Sequence, residues 1–264
     1  MTAGGWTTKK KKMTQSPLPS VETFERAGLE AWPGIEVKWD GNWVRRASGG
    51  YTKRANSAQC FDPNDNEGAE DRIIGASSWL IVRGVKPVFR ITPLSAPALN
   101  EALEDAGWDE IDHSHLYAMP LAAQEPDAEG KLLPLLDPDF LTAQQKLKAA
   151  DEAEMGRMKA LLAVMKVPAT GIVIYRNGEP VASGLMAISN NIVITGNVIT
   201  DPTRRRQGLA SAMMRTGLNW AHEKGATIAA LNVQADNPAA QALYQNLGFT
   251  HQYDYHYRIP GAPK

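Results

Sequence analysis

Apolar positions along the chain fall into short blocks whose period changes from place to place. Over 171–176 and 179–188 they run almost unbroken, through Ile172-Val173-Ile174 and Val181-Ala182, and the two runs meet across Asn177-Gly178. Such runs around Asn-Gly predict a β-hairpin, because both residues tolerate the positive φ of a tight hairpin turn. Residues 191–200, rich in Ile and Val, predict a third strand. Over 208–224 the period becomes helical, with Leu209, Met213, Thr216, Gly217 and Trp220 on one stripe. A strand over 227–233, a helix over 237–246 and a strand over 252–259 complete the block. The order β-β-β-α-β-α-β predicts a mixed α/β fold with helices on a partly antiparallel sheet.

The pattern is less regular nearer the N-terminus. A helix is expected over 21–31, stopping at Pro33-Gly34. Strands are expected over 42–46 and 51–59, around Ser48-Gly49-Gly50. The apolar run Ser78-Trp79-Leu80-Ile81-Val82 reads as a strand over 77–82, and 88–91 as another. A helix over 96–106, ended by Gly107, and a strand over 115–119 follow. Residues 124–130, polar and holding Pro126, read as a loop, and 141–165 as one helix with Gly156 its weak point. The expected organisation is a disordered leader (1–20), a first domain (21–121), a linker and helix (122–168) and a second domain (169–264). At about 150 residues per domain, a chain of 264 residues has room for two.

Composition narrows the classes. Twenty-eight Lys and Arg against 29 Asp and Glu leave a net charge of -1, which argues against a dedicated nucleic-acid or membrane-surface protein. The single Cys60 excludes an intrachain disulfide and any multi-cysteine metal site, and a reducing, cytoplasmic home fits it. No zinc-hydrolase spacing exists among the five histidines, and no metal is expected. No run approaches the roughly 20 apolar residues needed to span a bilayer. Lys9 to Lys12 precede Met13-Thr14-Gln15-Ser16-Pro17 where a signal peptide would be apolar, so they read as a solvated leader.

The candidate chemistry lies between the third strand and its helix, at Asp201-Pro202-Thr203-Arg204-Arg205-Arg206-Gln207-Gly208-Leu209-Ala210. A strand feeding a glycine turn into a helix gathers free amides and the positive end of the helix dipole, a seat for phosphate. Gly208 and Ala210 keep side chains away from that seat, and the arginines add long-range attraction. The stretch lacks the Gly-Lys-Ser/Thr ending of a P-loop and the three glycines of a dinucleotide fingerprint. An ordinary helix start with a solvated basic face has the same local pattern. A second helix starts at Asn237-Pro238 and ends at Gly248, with Ala240, Leu243 and Tyr244 between.

Together these residues resemble the GCN5-related N-acetyltransferases (GNAT). Arg205-Arg206-Gln207-Gly208-Leu209-Ala210 is similar to their Arg/Gln-x-x-Gly-x-Gly/Ala signature, and Asn237-x-x-Ala240-x-x-Leu243-Tyr244-x-x-Leu247-Gly248-Phe249 to their second one. The resemblance implies a GNAT fold with a mixed, mostly antiparallel sheet flanked by helices. It also implies acetyl-CoA in a split between the strands before and after the signature. Val198, Ile199 and Thr200 would then pair with the pantetheine arm. The amides of Arg205, Arg206, Gln207, Gly208, Leu209, Ala210 and Ser211 would hold the pyrophosphate. Asn237 and Ala240 would line the cofactor arm. Tyr244 would lie near the thioester sulfur, where a phenol of ordinary pKa near 10 can protonate a leaving thiolate.

Many members place a carboxylate on the strand before the signature to deprotonate the amine. Here that strand, Ile192 to Thr200, has none. Asn197 can orient a water or the substrate but is no base. Asp254, His251 and His256 are candidates elsewhere. Gly41-Asn42-Trp43-Val44-Arg45-Arg46 and the segment from Gly50 to Ser57 resemble the N-terminal part of bacterial two-part members, so a tandem arrangement with a degenerate first half is expected. Arg54-Ala55-Asn56-Ser57 are either substrate contacts or the satisfied polar end of a strand.

The expected function is acetyl transfer to a primary amine of a small molecule, by direct attack in a ternary complex. An aminoglycoside-type amino sugar is one candidate, because Glu101, Glu104, Asp105, Asp109, Glu110 and Asp112 would attract a cation; a solvated helix face is the plainer account of that run. A non-catalytic acyl-CoA-binding module is the alternative. No nucleic acid or membrane partner is expected, and the chain is expected to be a monomer or homodimer.

Overall fold

Helix α1 (Val21–Ala31) forms where expected: Ser20 caps it by accepting from the Thr23 amide, and Phe24, Ala27 and Ala31 turn inward. The computed structural model describes residues 18–262. Of the leader expected at 1–20, residues 1–17, with Lys9 to Lys12, lie outside the described residues; Leu18 packs against the core and Ser20 caps α1.

The next elements depart from the expected pattern. Strand β1 (Glu36–Asp40) is exposed along most of its length, so it shows no alternation; it pairs with β2 (Trp43–Ala47). Residues 51–59 are not one strand but a 3-10 turn (Lys53–Ala55) and a short strand β3 (Ala58–Cys60). The cause is Asn56. Its Oδ1 accepts from the amides of Ser48 (2.6 Å) and Gly50 (2.9 Å), and its Nδ2 donates to the Thr52 carbonyl (2.8 Å). These local bonds outcompete a ladder.

Residues 77–82 are not a strand either; they end helix α2 (Ala69–Ile81) and the turn after it. Ala69, Ile73, Ala76 and Leu80 are buried at helical spacing, while Val82 stands 82% exposed. A short apolar run does not by itself distinguish strand from helix. Strand β4 (Phe89–Ile91), helix α3 (Pro97–Asp105) and a long strand β5 (Trp108–Pro120) follow, then an unexpected strand β6 (Gly130–Leu133). The helix expected over 141–165 is two, α4 (Pro138–Lys148) and α5 (Glu152–Ala163). The break is at Ala149, in the left-handed region (φ 54), after which Asp151 caps α5; Gly156 sits inside α5.

From there the elements follow expectation: β7 (Ala169–Arg176), β8 (Glu179–Ser189), β9 (Ile192–Thr200), α6 (Leu209–Glu223), β10 (Ile228–Gln234), α7 (Pro238–Asn246) and β11 (Thr250–Pro260). Asn177 (φ 56) and Gly178 (φ 80) form the hairpin turn that their types demand.

The described strands make one sheet in the order β1-β2-β3-β4-β11-β5-β10-β9-β8-β7-β6. Among them β3/β4 and β9/β10 are parallel and the others antiparallel. Helices α1, α4 and α5 bury Phe24, Phe140 and Met158 on one face, and α6 and α7 bury Met213, Leu218 and Tyr244 on the other. The mixed, mostly antiparallel sheet flanked by helices is the expected fold class. Regions far apart in sequence interlock in it. Strand β11 lies between β4 and β5, β5 lies between β11 and β10, and α1 packs on β8 and β9. No helix among the described residues is long and apolar enough to cross a membrane.

Candidate active site

Strands β9 and β10 pair from Ile192 opposite Ile228 to Thr195 opposite Leu231, and no further. The separation begins at a β-bulge. Leu185 on β8 faces Gly196 and Ser183 faces Ile199, so β9 carries an extra residue there, and Asn197 takes a φ of 50. Gln144 on α4 holds the bulge by donating to the Asn197 carbonyl (3.3 Å) and the Ser183 hydroxyl (2.9 Å). The Asn197 side chain donates to the Tyr51 hydroxyl (2.8 Å), so its amide orients the Tyr51 ring. Val198, Ile199 and Thr200 are half-buried, and β8 takes one edge of this stretch while the edge toward β10 stays unpaired.

Beyond β9 the chain turns through Asp201, whose carboxylate accepts from the Thr203 amide (2.8 Å). Arg206 (φ 60) and Gly208 (φ 75) are both left-handed, which curls successive amides toward one point. Among the described residues the amides of Arg205, Arg206, Gln207, Gly208, Leu209, Ala210 and Ser211 have no acceptor, and the first helical bond runs from Ala212 to the Gly208 carbonyl (2.9 Å). A Cβ built on Gly208 meets nothing within 4 Å, so a side chain there would project into the space before the helix. Arg205, Arg206 and Gln207 are exposed, Leu209 turns into the core, and Ala210 and Ser211 are half-buried.

On α7 the Asn237 side chain caps the helix, accepting from the Ala240 amide (3.0 Å), and half-buried Ala240 packs against the core. Tyr244 is 7% exposed and packs edge-on against Phe249 at 6.1 Å. Its hydroxyl makes no hydrogen bond among the described residues. Burial pushes it up to about 12 against the opposing charge of Arg54, so it is protonated throughout the neutral range.

The opposite wall of the split comes from the N-terminal part of the chain. Trp32 follows α1 and lies so close to β9 that a Cβ on Gly196 would be 2.4 Å from its ring. It stacks with Tyr51 at 6.5 Å, and the Arg54 guanidinium lies over it at 4.6 Å. Arg54 lines two cavities here, whereas Asn56 ties its own loop through its side chain. Below Trp32 lies a buried network that sequence reading missed. Glu25 accepts from Arg90 (2.7 and 3.0 Å), Gln59 (2.7 Å) and Tyr253 (2.7 Å). Burial works to raise its pKa, but the Arg90 charge and these hydrogen bonds prevail and hold Glu25 ionised, below the usual carboxylate range. Asn232, the polar residue in the apolar run of β10, was also missed. Its side-chain oxygen is buried without a partner, at a cavity of about 220 Å³ lined by Arg54, Val233, Gln234, Tyr255 and Tyr257 among others.

The three base candidates do not line this cavity. Asp254 bridges His115 and His251 at 2.6 Å each. His256, lowered by burial, lies 3.6 Å from Glu110. Tyr253, Tyr255 and Tyr257 turn to the α1 face, and the alternation of a strand sends Asp254 and His256 to the other. Of the acidic run, Glu110 binds Arg258, Asp112 binds Lys53, and Glu101, Glu104 and Asp105 lie on α3.

The chain thus combines a parallel pair that separates after a bulge, a run of free amides at a helix start and a buried tyrosine on the following helix. A protein family described as "Probable histone acetyltransferase Rv0428c C-terminal" matches residues 20–258. The chain belongs to this family. It is an N-acetyltransferase of GNAT type. The GNAT chain is 24% identical over 248 residues to "Uncharacterized N-acetyltransferase YobR" of Bacillus subtilis, covering 92% of this chain and 99% of that one. Over 74 residues it is 32% identical to the [Ribosomal protein bS18]-alanine N-acetyltransferase of Escherichia coli, spanning 28% of this chain and 50% of the relative. Among solved structures, a GCN5-related N-acetyltransferase from Kribbella flavida superposes with a TM-score of 0.69 at 19% identity, covering 91% of this chain and 96% of that chain. A tandem GNAT protein from the clavulanic acid biosynthesis pathway superposes with a TM-score of 0.58 at 12% identity, covering 91% and 88%. At these identities the structures speak for the fold.

Proposed function

We propose that this acetyltransferase moves the acetyl group of acetyl-CoA to the primary amine of a small molecule, by direct attack within a ternary complex. The observation that carries the reading is the unpaired edge of β9 leading into the free amides of residues 205–211. The donor set suits a pyrophosphate: consecutive amides, a helix N-terminus and exposed arginines all favour an anion. Val198, Ile199 and Thr200 would hold the arm of the cosubstrate along the open edge, and Asn237 and Ala240 would flank it. Acetyl-CoA, when bound, supplies an acetyl thioester. Residues 169–264 then carry the cosubstrate, and residues 21–121 wall the acceptor side.

The acceptor nitrogen forms its bond to the acetyl carbon as the carbon–sulfur bond breaks. Asn232 accepts a hydrogen bond from the attacking amine with its unpartnered oxygen and orients the lone pair. Tyr244, held protonated by burial, gives its proton to the departing sulfur, and the proton that the nitrogen sheds as the amide forms passes to solvent, from which the phenolate is reprotonated. Two carboxylates reach these cavities, and both are engaged: Glu25 by Arg90, Gln59 and Tyr253, and Asp112 by Lys53. The amine is therefore drawn from its neutral fraction, losing its proton to solvent before attack.

The test is calorimetric titration with acetyl-CoA followed by thiol release against a panel of primary amines. Binding with amine-dependent release is expected. No binding overturns the cosubstrate assignment, and tight binding with no release from any amine overturns the small-molecule reading.

A further inference from the structure

The acceptor cavity is rich in cations, and the charges within it do not balance. Arg54 lies over Trp32 with no ion pair or hydrogen bond among the described residues. Its neighbour Lys53 is neutralised by Asp112 at 2.7 Å. Behind Trp32 a smaller cavity is lined by Arg46, Arg54, Arg90 and Asn232, with Glu25 as its carboxylate. Glu25 is spent on Arg90 at 2.7 Å. Arg46, only 3% exposed, donates one bond to the Trp32 carbonyl (3.1 Å), and its Nε is buried without a partner. Burial and the Arg90 charge pull Arg46 down to about 10, the mark of a cation in an unfavourable field.

An unpaired buried cation is costly, and a second one beside it more so, unless an anion completes the site. A guanidinium lying over an indole keeps its planar fork of donors free, the shape a carboxylate accepts in bidentate fashion. Arg54 and Asn232 line both the smaller cavity and the larger one at the split. We infer that the acceptor is an amine that also bears a carboxylate, which Arg54 holds over Trp32 with Arg46 behind it while Asn232 receives the amine. This rests on the acetyltransferase reading above and narrows its substrate class. A polycationic amine, such as an amino sugar or a polyamine, would meet the arginines as like charges.

The full chain is assayed by thiol release with α- and ω-amino acids of increasing length, each beside its own carboxamide, together with a polyamine and an amino sugar. The best amino acid should exceed its carboxamide in kcat/KM by at least about 30-fold, the range of a hydrogen bond to a charged group. Arg54→Gln should remove that preference through KM with kcat little changed, and Arg54→Lys should restore part of it. Arg54 is half-exposed, and an unchanged melting temperature establishes that the variant folds. A readout without the cosubstrate is quenching of tryptophan fluorescence by the preferred amino acid, which Arg54→Gln should abolish. Equal or better turnover of carboxamides, polyamine or amino sugar overturns the inference while the acetyltransferase stands, as does a preference untouched by Arg54→Gln. Failure to bind acetyl-CoA overturns the underlying reading instead.

Discussion

The two sides of the β9/β10 split are built by opposite means. The side we assign to the cosubstrate is almost entirely backbone: the free edge of Val198 to Thr200 and the amides of residues 205–211, contiguous in sequence and shaped by two left-handed residues. The side we assign to the acceptor is almost entirely side chains, drawn from α1, β2, the 3-10 turn at Lys53–Ala55, β4, β10 and β11 and held by a buried ion pair. A backbone site tolerates exchange of most side chains and depends on a few conformations. A side-chain site has the reverse sensitivity, and its pieces answer to the packing of the whole molecule.

The sharpest way to break this comparison is Glu25→Ala. Removing one partner of a buried pair strands Arg90 and should cost about 3–5 kcal/mol, read as a lowered midpoint in urea. Glu25 is depressed in the folded state, so its contribution is present above the unfolded carboxylate pKa of roughly 4.3 and is lost as pH falls through the folded value. The wild-type protein should therefore lose stability steeply in acid, and the variant less so. A variant as stable as wild type would mean that the acceptor wall does not rest on this pair.

Gly208→Glu tests the other side. A carboxylate placed before the free amides should weaken acetyl-CoA binding by about 10³-fold, or about 4 kcal/mol, in titration calorimetry. The melting temperature should move little, because a side chain at Gly208 meets no neighbour and the φ of 75 carries a modest strain. Unchanged affinity would end the idea of a backbone cradle. Tyr244→Phe acts where the two sides meet. It should lower kcat by about 10²-fold with acetyl-CoA affinity unchanged. Because burial holds the phenol near 12, the wild-type rate should show no fall from its ionisation up to about pH 10. Equal rates for the two proteins would reduce Tyr244 to packing against Phe249.

The same contrast explains what could be read from the sequence. The hairpin at Asn177-Gly178, the helix stripe of α6 and the Gly208 turn each lie within a few residues, and each was legible. The bulge had a signal that went unused, since Gly196-Asn197 interrupts an apolar strand where a bulge or a close approach is the usual reason. The acceptor wall had almost none. Nothing near Glu25 announces that Arg90 and Tyr253 will meet it, because those contacts span 65 and 228 residues. The misread strand at 77–82 failed for a different reason. Its Leu80 is buried but the adjoining Ile81 and Val82 are exposed, so hydrophobicity there does not report burial.

The place of β11 also shapes the order in which the molecule can be made. Until residue 260 has left the ribosome, β4 and the far side of β5 lack the strand that joins them. The nascent protein must keep two open strand edges from pairing with other chains while more than half of its length is still being synthesised. Closure then depends on contacts such as Arg90 with Tyr257, 167 residues apart, which places the slow step of folding after β11 has been made. The sheet is complete only when β11 slides between β4 and β5.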